Sequence, residues 1–252
     1  MIVIEDKSLR IPVPATGEGW LVVDKPAGIT VHNTPGSDVC SLVSAFIRKE
    51  PSVIGLEQAD PGFSVHPVHR LDKETSGLLL LAGTPHLFRF FSKQFEDRRV
   101  NKRYIAILHG RLADAPGEKS WGTWTWALSK AAGGRHRPEG GRPRQPAHTR
   151  YRIADRSAHY TMVEIELHSG RKHQIRRHAK LAGHPVAGDA RYGSKRAIRY
   201  LKKRGAFDRL ALHAHALTFR LPERNAPKTI TSPSLPDPMQ ALFAADREAH
   251  KP

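Results

Sequence analysis

The chain has 252 residues, 41 Lys+Arg against 24 Asp+Glu and a formal charge of +17, with 39% hydrophobic and 26% charged residues. That length buries one sizeable core or two small ones, and so basic a surface favours a polyanionic partner, nucleic acid first, over neutral sugars or other uncharged ligands. Cys40 is the only cysteine, which excludes an intramolecular disulfide and a Cys-rich zinc site and fits the reducing cytoplasm. No secretory signal is expected, because the opening MIVIEDKSLRIPVP breaks its apolar residues with acids and prolines. The longest apolar run, Leu78 to Ala82, is far short of the ~20 residues needed to cross a bilayer.

In chain order, residues 20–24 (WLVVD) read as a short buried strand, closed by the turn signal Lys25-Pro26-Ala27-Gly28. Residues 77–82 (GLLLLA) read as a second buried strand. Thr84 then suits a helix N-cap and Pro85 the first helical position. Leu87, Phe88, Phe91 and Phe95 recur at helical spacing, so 85–98 reads as an amphipathic helix. Residues 102–109, 161–168 and 211–219 alternate like half-buried strands.

Two basic segments stand apart. Residues 129–149 hold four glycines, three prolines and four arginines with almost nothing apolar. Such a stretch cannot offset its ordering entropy by burial and is expected to be a mobile loop, either a plain insertion or a flap that orders on RNA. Residues 171–180 (RKHQIRRHAK) carry five Lys/Arg, and no acidic residue occurs between Glu166 and Asp189. Ser169-Gly170 and Gly183 bracket a short helix there. Ile175 and Ala179 give it a single apolar stripe; its other faces are cationic, and its N-terminal end suits phosphate.

The stretch that points most directly to chemistry is His69-Arg70-Leu71-Asp72-Lys73-Glu74-Thr75-Ser76-Gly77, followed by LLLLA. A carboxylate on a polar loop at the mouth of a rigid strand is well placed to act as nucleophile or base, although Asp and Ser/Thr before a strand also make ordinary Asx turns. Other signals fall away. The fifteen histidines include no HExxH pair, and no metal site is expected. Gly188 to Lys195 has the glycine spacing of a phosphate loop but Ser194 and Lys195 in the wrong order. Asp72 and Glu74 as a glycosidase pair would gain nothing from the basic surface.

HRLDKETSGLLLLA (69–82) resembles the central motif of the RluA-type RNA pseudouridine synthases, HRLDxxTSGLLLxA, at every fixed position. Three further segments, and a closing strand, follow the same order: WLVVDKPAGITVH (20–32), Asn101-Lys102-Arg103-Tyr104, Gly170-Arg171-Lys172-His173-Gln174-Ile175-Arg176, and LHAHALTF (212–219). The resemblance covers residues 18–222. It implies an α+β fold, a mixed and mainly antiparallel β-sheet flanked by helices, with a central RNA-binding cleft. It makes Asp72 the catalytic carboxylate, sets Tyr104 against the uracil ring and pairs Arg176 with Asp72. Ile175 would line the pocket, and Arg70 would enter the RNA where the target nucleotide is flipped out. Lys102, Arg171 and Lys172, in the same motifs, would add contacts to RNA.

Isomerising uridine breaks the N-glycosidic bond, turns the uracil and joins its C5 to the ribose, without redox change or hydrolysis, so neither metal nor cofactor is expected. One carboxylate can act as nucleophile or stabilise a cationic sugar; an arginine keeps it ionised, and an aromatic ring gives the extruded base a platform. The alternative is a catalytically silent RNA-binding protein on the same scaffold. The nineteen residues before Trp20 are too few for the S4-type domain that many relatives carry. The expectation is therefore one catalytic domain over 1–252, a monomer, reading structured RNA directly. Residues 170–193 look most like the tRNA pseudouridine synthase C subgroup, which favours tRNA over rRNA; the 129–149 segment departs from compact members.

Overall fold

The structure is a computed structural model, and it describes residues 2–6, 9–59, 62–114, 121–204, 207–224 and 226–248. In chain order the elements are β1 (Ile2–Asp6), β2 (Leu9–Val13), β3 (Ala15–Gly17), β4 (Trp20–Lys25), α1 (Val39–Lys49), β5 (His66–Pro67), β6 (Ser76–Ala82), α2 (Pro85–Glu96) and β7 (Asn101–His109). There follow β8 (Gly122–Trp124), β9 (Leu128–Ser129), β10 (Arg144–Gln145), β11 (Thr149–Arg156), β12 (Tyr160–Leu167), α3 (Gln174–Leu181), α4 (Lys195–Arg204), β13 (Leu212–Phe219), β14 (Lys228–Thr231) and α5 (Asp237–Glu248). This is the expected α+β fold with mainly antiparallel pairing. No helix among the described residues is long and apolar enough to cross a membrane.

The chain divides into two compact units, residues 1–102 with 214–233, and 103–213 with 234–252. It leaves the first unit within β7 and returns to it within β13.

In the first unit the strands run β3-β4-β6-β13, with β5 paired to β6 and β14 to β13, while β1 and β2 form a separate ribbon. All seven residues of β6 are buried, as an uninterrupted Leu run at the centre of a sheet requires. Trp20, Leu78, Leu80, Leu87, Phe91 and Phe219 belong to one core cluster. Phe219 meets Trp20 and Phe91 edge to face, with ring centroids 5.7 and 5.6 Å apart. Helix α2 begins as its sequence predicts: the Thr84 hydroxyl accepts Leu87 N–H at 3.2 Å, and Pro85 follows. It stops two residues earlier than the apolar spacing suggested, because Arg98 turns into the left-handed region at φ 57°. Helix α1, which the sequence reading left unassigned, is capped by Asp38, whose carboxylate accepts Ser41 N–H and Thr34 N–H, each at 2.8 Å.

The second unit is the antiparallel order β7-β12-β11-β8, with β9 and β10 as a separate ribbon. Val163 and Ile165 of β12 and Ala106 to Leu108 of β7 are fully buried. Helix α5 buries Met239, Leu242 and Phe243. Its Asp246 accepts His159 N–H and pairs with Nδ1 of the same residue, both at 2.8 Å.

The segment 129–149 holds too little apolar surface to anchor itself by burial. It is anchored by hydrogen bonds that composition does not reveal. Its ends form the β9–β10 ribbon, Arg135 donates to the Gly193 and Ala190 carbonyls, and Arg191 donates to those of Gly133 and Ala132.

Candidate active site

In the first unit, the HRLD segment lies between β5 and β6. Its backbone closes a turn from Asp72 C=O to Thr75 N–H at 3.1 Å. Leu71, Thr75 and Ser76 are buried, Asp72 is half-buried and Arg70 exposed. Three contacts fix this loop to its surroundings. His69 Nε2 accepts the Leu80 N–H at 3.0 Å, and its ring stacks on Phe95 at 4.7 Å. A nitrogen that accepts a backbone N–H must be unprotonated, so the proton sits on Nδ1; burial, and after it the charge of Lys102, push this histidine down to about 3. Gly28 N–H and the Lys25 ammonium both donate to Lys73 C=O, at 2.8 and 3.1 Å. Lys25 is fully buried and also donates to Pro26 C=O and Ile29 C=O at 2.9 and 2.8 Å. It thereby joins the turn after β4 to the residue following Asp72.

Gly77 explains why this motif needs a glycine. Its φ is 116°, and a Cβ there would lie 2.4 Å from the backbone N and O of Ala214 on β13. Only a residue without a side chain lets the strands approach so closely. Lys102, at the end of this unit, lies over the Phe95 ring at 5.8 Å, and burial lowers its pKa.

In the second unit, Tyr104 of β7 is 6% exposed and stands opposite Ile165 of β12. Its neighbour Arg103 donates to Glu164 at 3.1 Å, and Arg152 reaches the same carboxylate at 2.7 Å. Helix α3 follows a turn in which His173 adopts the left-handed conformation, φ 55°. The sequence reading gave α3 cationic faces open to phosphate. Its residues 174–179 are instead all buried, Arg176, Arg177 and His178 included. Charges and polar groups can be buried only when each finds a partner, and each does.

Gln174 satisfies both ends of its amide. Its carbonyl accepts from Ser169 Oγ and Arg171 N–H, at 2.8 and 3.0 Å, and its NH₂ donates to His148 C=O and Thr149 Oγ1, at 3.0 and 2.9 Å. Thr149 in turn lies 2.9 Å from His178 Nδ1, while Nε2 lies 2.9 Å from Trp126 C=O. A carbonyl only accepts, so Nε2 carries the proton and Nδ1 accepts from the threonine. Burial pushes His178 down to about 4.

Arg176 forms a bidentate pair with Asp189, Nε to Oδ2 at 2.8 Å and Nη2 to Oδ1 at 2.9 Å, with side chains 4% and 0% exposed. Asp189 Oδ1 also accepts Arg191 N–H and Tyr192 N–H, at 2.9 and 3.0 Å. The guanidinium lies 5.5 Å from the centre of the buried Tyr192 ring, whose hydroxyl is 3.0 Å from His173 Nδ1. The guanidinium is thus held in a fixed plane. Asp189 is not among the candidate site residues of the sequence, where it falls within the 170–193 stretch and the failed phosphate loop Gly188 to Lys195. The usable signal was its isolation: it is the only acidic residue between Glu166 and Asp208.

Arg177 is fully buried with no carboxylate on it among the described residues. It donates instead to the carbonyls of Ser129, Pro138, Glu139 and Lys172 and to Ser129 Oγ. Burial lowers its pKa. Of the other candidates, Ile175 is buried, Lys172 is exposed, and Arg171 donates to Pro146 C=O at 3.3 Å. Arg70, Asp72 and Lys102 therefore belong to the first unit, and Tyr104, Arg171, Lys172, Ile175 and Arg176 to the second.

A model of the family described as RNA pseudouridylate synthase matches residues 19–181, from the strand before the first turn through α3. The chain belongs to the RNA pseudouridylate synthase family. It is thus a member of a family of isomerases acting on RNA. The ribosomal large subunit pseudouridine synthase D of Xylella fastidiosa is 34% identical over 237 residues, which are 92% of this chain and 68% of that protein. The tRNA pseudouridine synthase C of Haemophilus ducreyi is 31% identical over 236 residues, 88% of this chain and 90% of that one. Among solved structures, human RNA pseudouridylate synthase domain containing 4 superposes with a TM-score of 0.71 at 23% identity, over 93% of this chain and 92% of the other, and shares the pseudouridylate synthase fold.

Proposed function

We propose that this protein isomerises a specific uridine to pseudouridine in structured RNA, with Asp72 as the catalytic carboxylate. One observation carries the reading: the complete motif HRLDKETSGLLLLA ends in a strand whose seven residues are all buried, so Asp72 sits four residues ahead of a fully buried strand. A carboxylate so supported can meet C1′ of the ribose in a fixed direction. In the reaction the C1′–N1 bond breaks, the uracil turns, C1′ bonds to C5, and the C5 proton passes to water while N1 gains one. Atoms balance without oxidant, reductant or hydrolysis. Tyr104 and Arg176 keep the parts that the family motif gives them, the ring against uracil and the guanidinium for the carboxylate. The Asp189 clamp supports the second role, because an arginine already held in one plane loses little freedom in meeting an anion.

Relatives named for ribosomal RNA and for tRNA match at nearly equal identity, 34% and 31%. Residues 170–193, which look most like the tRNA subgroup, make tRNA the substrate to try first. The test is release of tritium from tRNA and, separately, rRNA transcripts labelled at uridine C5. Release from tRNA alone supports the full reading, and release from rRNA alone keeps the activity and overturns the substrate. Release from neither, with salt-sensitive binding intact, would leave a silent RNA-binding protein.

A further inference from the structure

Helix α4, KRAIRYLKKR, is absorbed by none of the family motifs. It is preceded by Ser194, whose hydroxyl accepts Ala197 N–H at 3.0 Å. Its inward stripe is Ala197, Ile198 and Leu201, at helical spacing, with Leu201 fully buried. The opposite arc is Lys195, Arg196, Arg199, Tyr200, Lys202 and Lys203, all exposed. Tyr200, at 62%, is the most exposed of the large hydrophobic side chains described.

A solvated helix face normally mixes both signs of charge. Here no acidic residue occurs between Asp189 and Asp208, and among the described residues these five cations form no ion pair. Elsewhere in the same unit several arginines stand on carboxylates, Arg103 and Arg152 on Glu164, Arg150 on Glu166, Arg156 on Asp114 and Arg176 on Asp189, and Arg135, Arg177 and Arg191 donate to backbone carbonyls. Within α4, Lys195 and Arg199, then Arg199 and Lys203, are like charges four apart and repel. Lys195 and Arg196 also stand at the helix end where the dipole disfavours cations. The helix is thus locally frustrated in a way that an external polyanion relieves. An anionic membrane fits less well, because membrane-surface helices lay their apolar stripe in the lipid, and this stripe is turned into the protein. Tyr200 adds the second requirement of a nucleic-acid surface. It lies four residues after Arg196 and three before Lys203, an aromatic face between cations on which an unpaired base can stack.

We propose that the outer face of α4 is a second RNA-docking surface, which holds phosphates through Arg196, Arg199 and Lys203 and stacks a base on Tyr200. This rests on the proposed RNA-modifying function and extends it: part of the affinity for the RNA comes from nucleotides that take no part in the chemistry. The test compares the full-length protein with the triple variant Arg196→Gln, Arg199→Gln, Lys203→Gln and with Tyr200→Leu and Tyr200→Phe, using tRNA and rRNA transcripts. The triple variant should bind about tenfold more weakly, and its slope of log affinity against log salt should be shallower by about 2 to 3, at about 0.9 per lost phosphate contact. Tritium release at saturating RNA should be unchanged. Tyr200→Leu should bind several-fold more weakly while Tyr200→Phe, which keeps the ring, binds as the parent does. The triple variant removes like-charge pairs, so it should melt no lower than the parent, which separates lost docking from lost fold. Unchanged affinity and salt slope would overturn the proposal. So would unchanged RNA binding together with loss of sedimentation on anionic phospholipid vesicles. If the parent released no tritium from any RNA while binding still depended on α4, the docking surface would be supported and the enzymatic reading overturned.

Discussion

The loop that carries Asp72 and the helix that carries Arg176 stand behind motifs of similar strength in the sequence, but opposite physics holds them in place. Around Asp72 the support is apolar and backbone-based: a fully buried Leu strand, a glycine where two backbones touch, a neutral histidine that accepts a strand N–H. Around Arg176 it is a set of buried charges and amides, each closed by a partner from another element. Apolar support tolerates small losses of volume gradually, whereas a buried charge stripped of its partner is left with its whole desolvation penalty. The two regions should therefore fail differently.

The largest effect is expected at Asp189. Asp189→Ala removes the buried carboxylate that holds the Arg176 guanidinium by two hydrogen bonds, and should cost about 3–5 kcal/mol of stability in denaturant titration. Asp189→Asn, which keeps an acceptor, should cost clearly less. On the apolar side, Gly77→Ala forces a Cβ onto the Ala214 backbone at a φ that side chains avoid. A destabilisation of about 3 kcal/mol is expected from strain and overpacking together. If Gly77→Ala were neutral, the close strand approach would not be what the motif protects. Next comes Arg177→Met, which removes the donor from four carbonyls and should cost about 2 kcal/mol. Its specific signature is faster amide exchange confined to residues 129–145, since Arg177 is what ties that segment to α3.

The effect that is smallest per step, a slope rather than a single loss, compares both regions in one titration. His69 and His178 are held neutral, at about 3 and about 4 against an ordinary 6.5. Between those values and 6.5 the unfolded chain binds protons that the folded chain does not, so their contribution is full above pH 6.5 and is lost as pH falls below it. Each proton contributes a slope of about 1.4 kcal/mol per pH unit. Stability measured from pH 6.5 down to 4.5 should fall with both groups, and His69→Gln should remove one proton's share of that slope. An unaltered slope in His69→Gln would mean that His69 is protonated in the folded state.

In the first unit β4, β6, α2 and β13 were legible in the sequence because they advertise themselves by apolar period, whereas the short strands β1, β2, β3, β5 and β14 did not. Residues 20–25 and 76–82 are strands within a residue or two of the reading, and Thr84-Pro85 starts α2 as its chemistry requires. Helix α1 was missed, although Asp38 three residues before Ser41 is a serviceable cap signal. The surroundings of Arg176 were legible only as a motif. Arginines and a histidine in a row read as a solvated face, because sequence gives their charge and not their partners. Those partners lie 13 residues away for Arg176, and 38 to 48 away, in a stretch that seemed to have nothing to bury, for most of Arg177's bonds. For the same reason the segment 129–149 read as mobile: anchorage by someone else's buried arginine leaves no trace in its own composition.

The measurement that bears most directly on the central claim is tritium release by Asp72→Asn beside the parent protein, on whichever transcript the parent modifies, with RNA affinity measured in parallel. Removal of the carboxylate charge alone should reduce release below detection while affinity stays within a few-fold. Substantial turnover by the Asn variant would show that Asp72 is not the catalytic group.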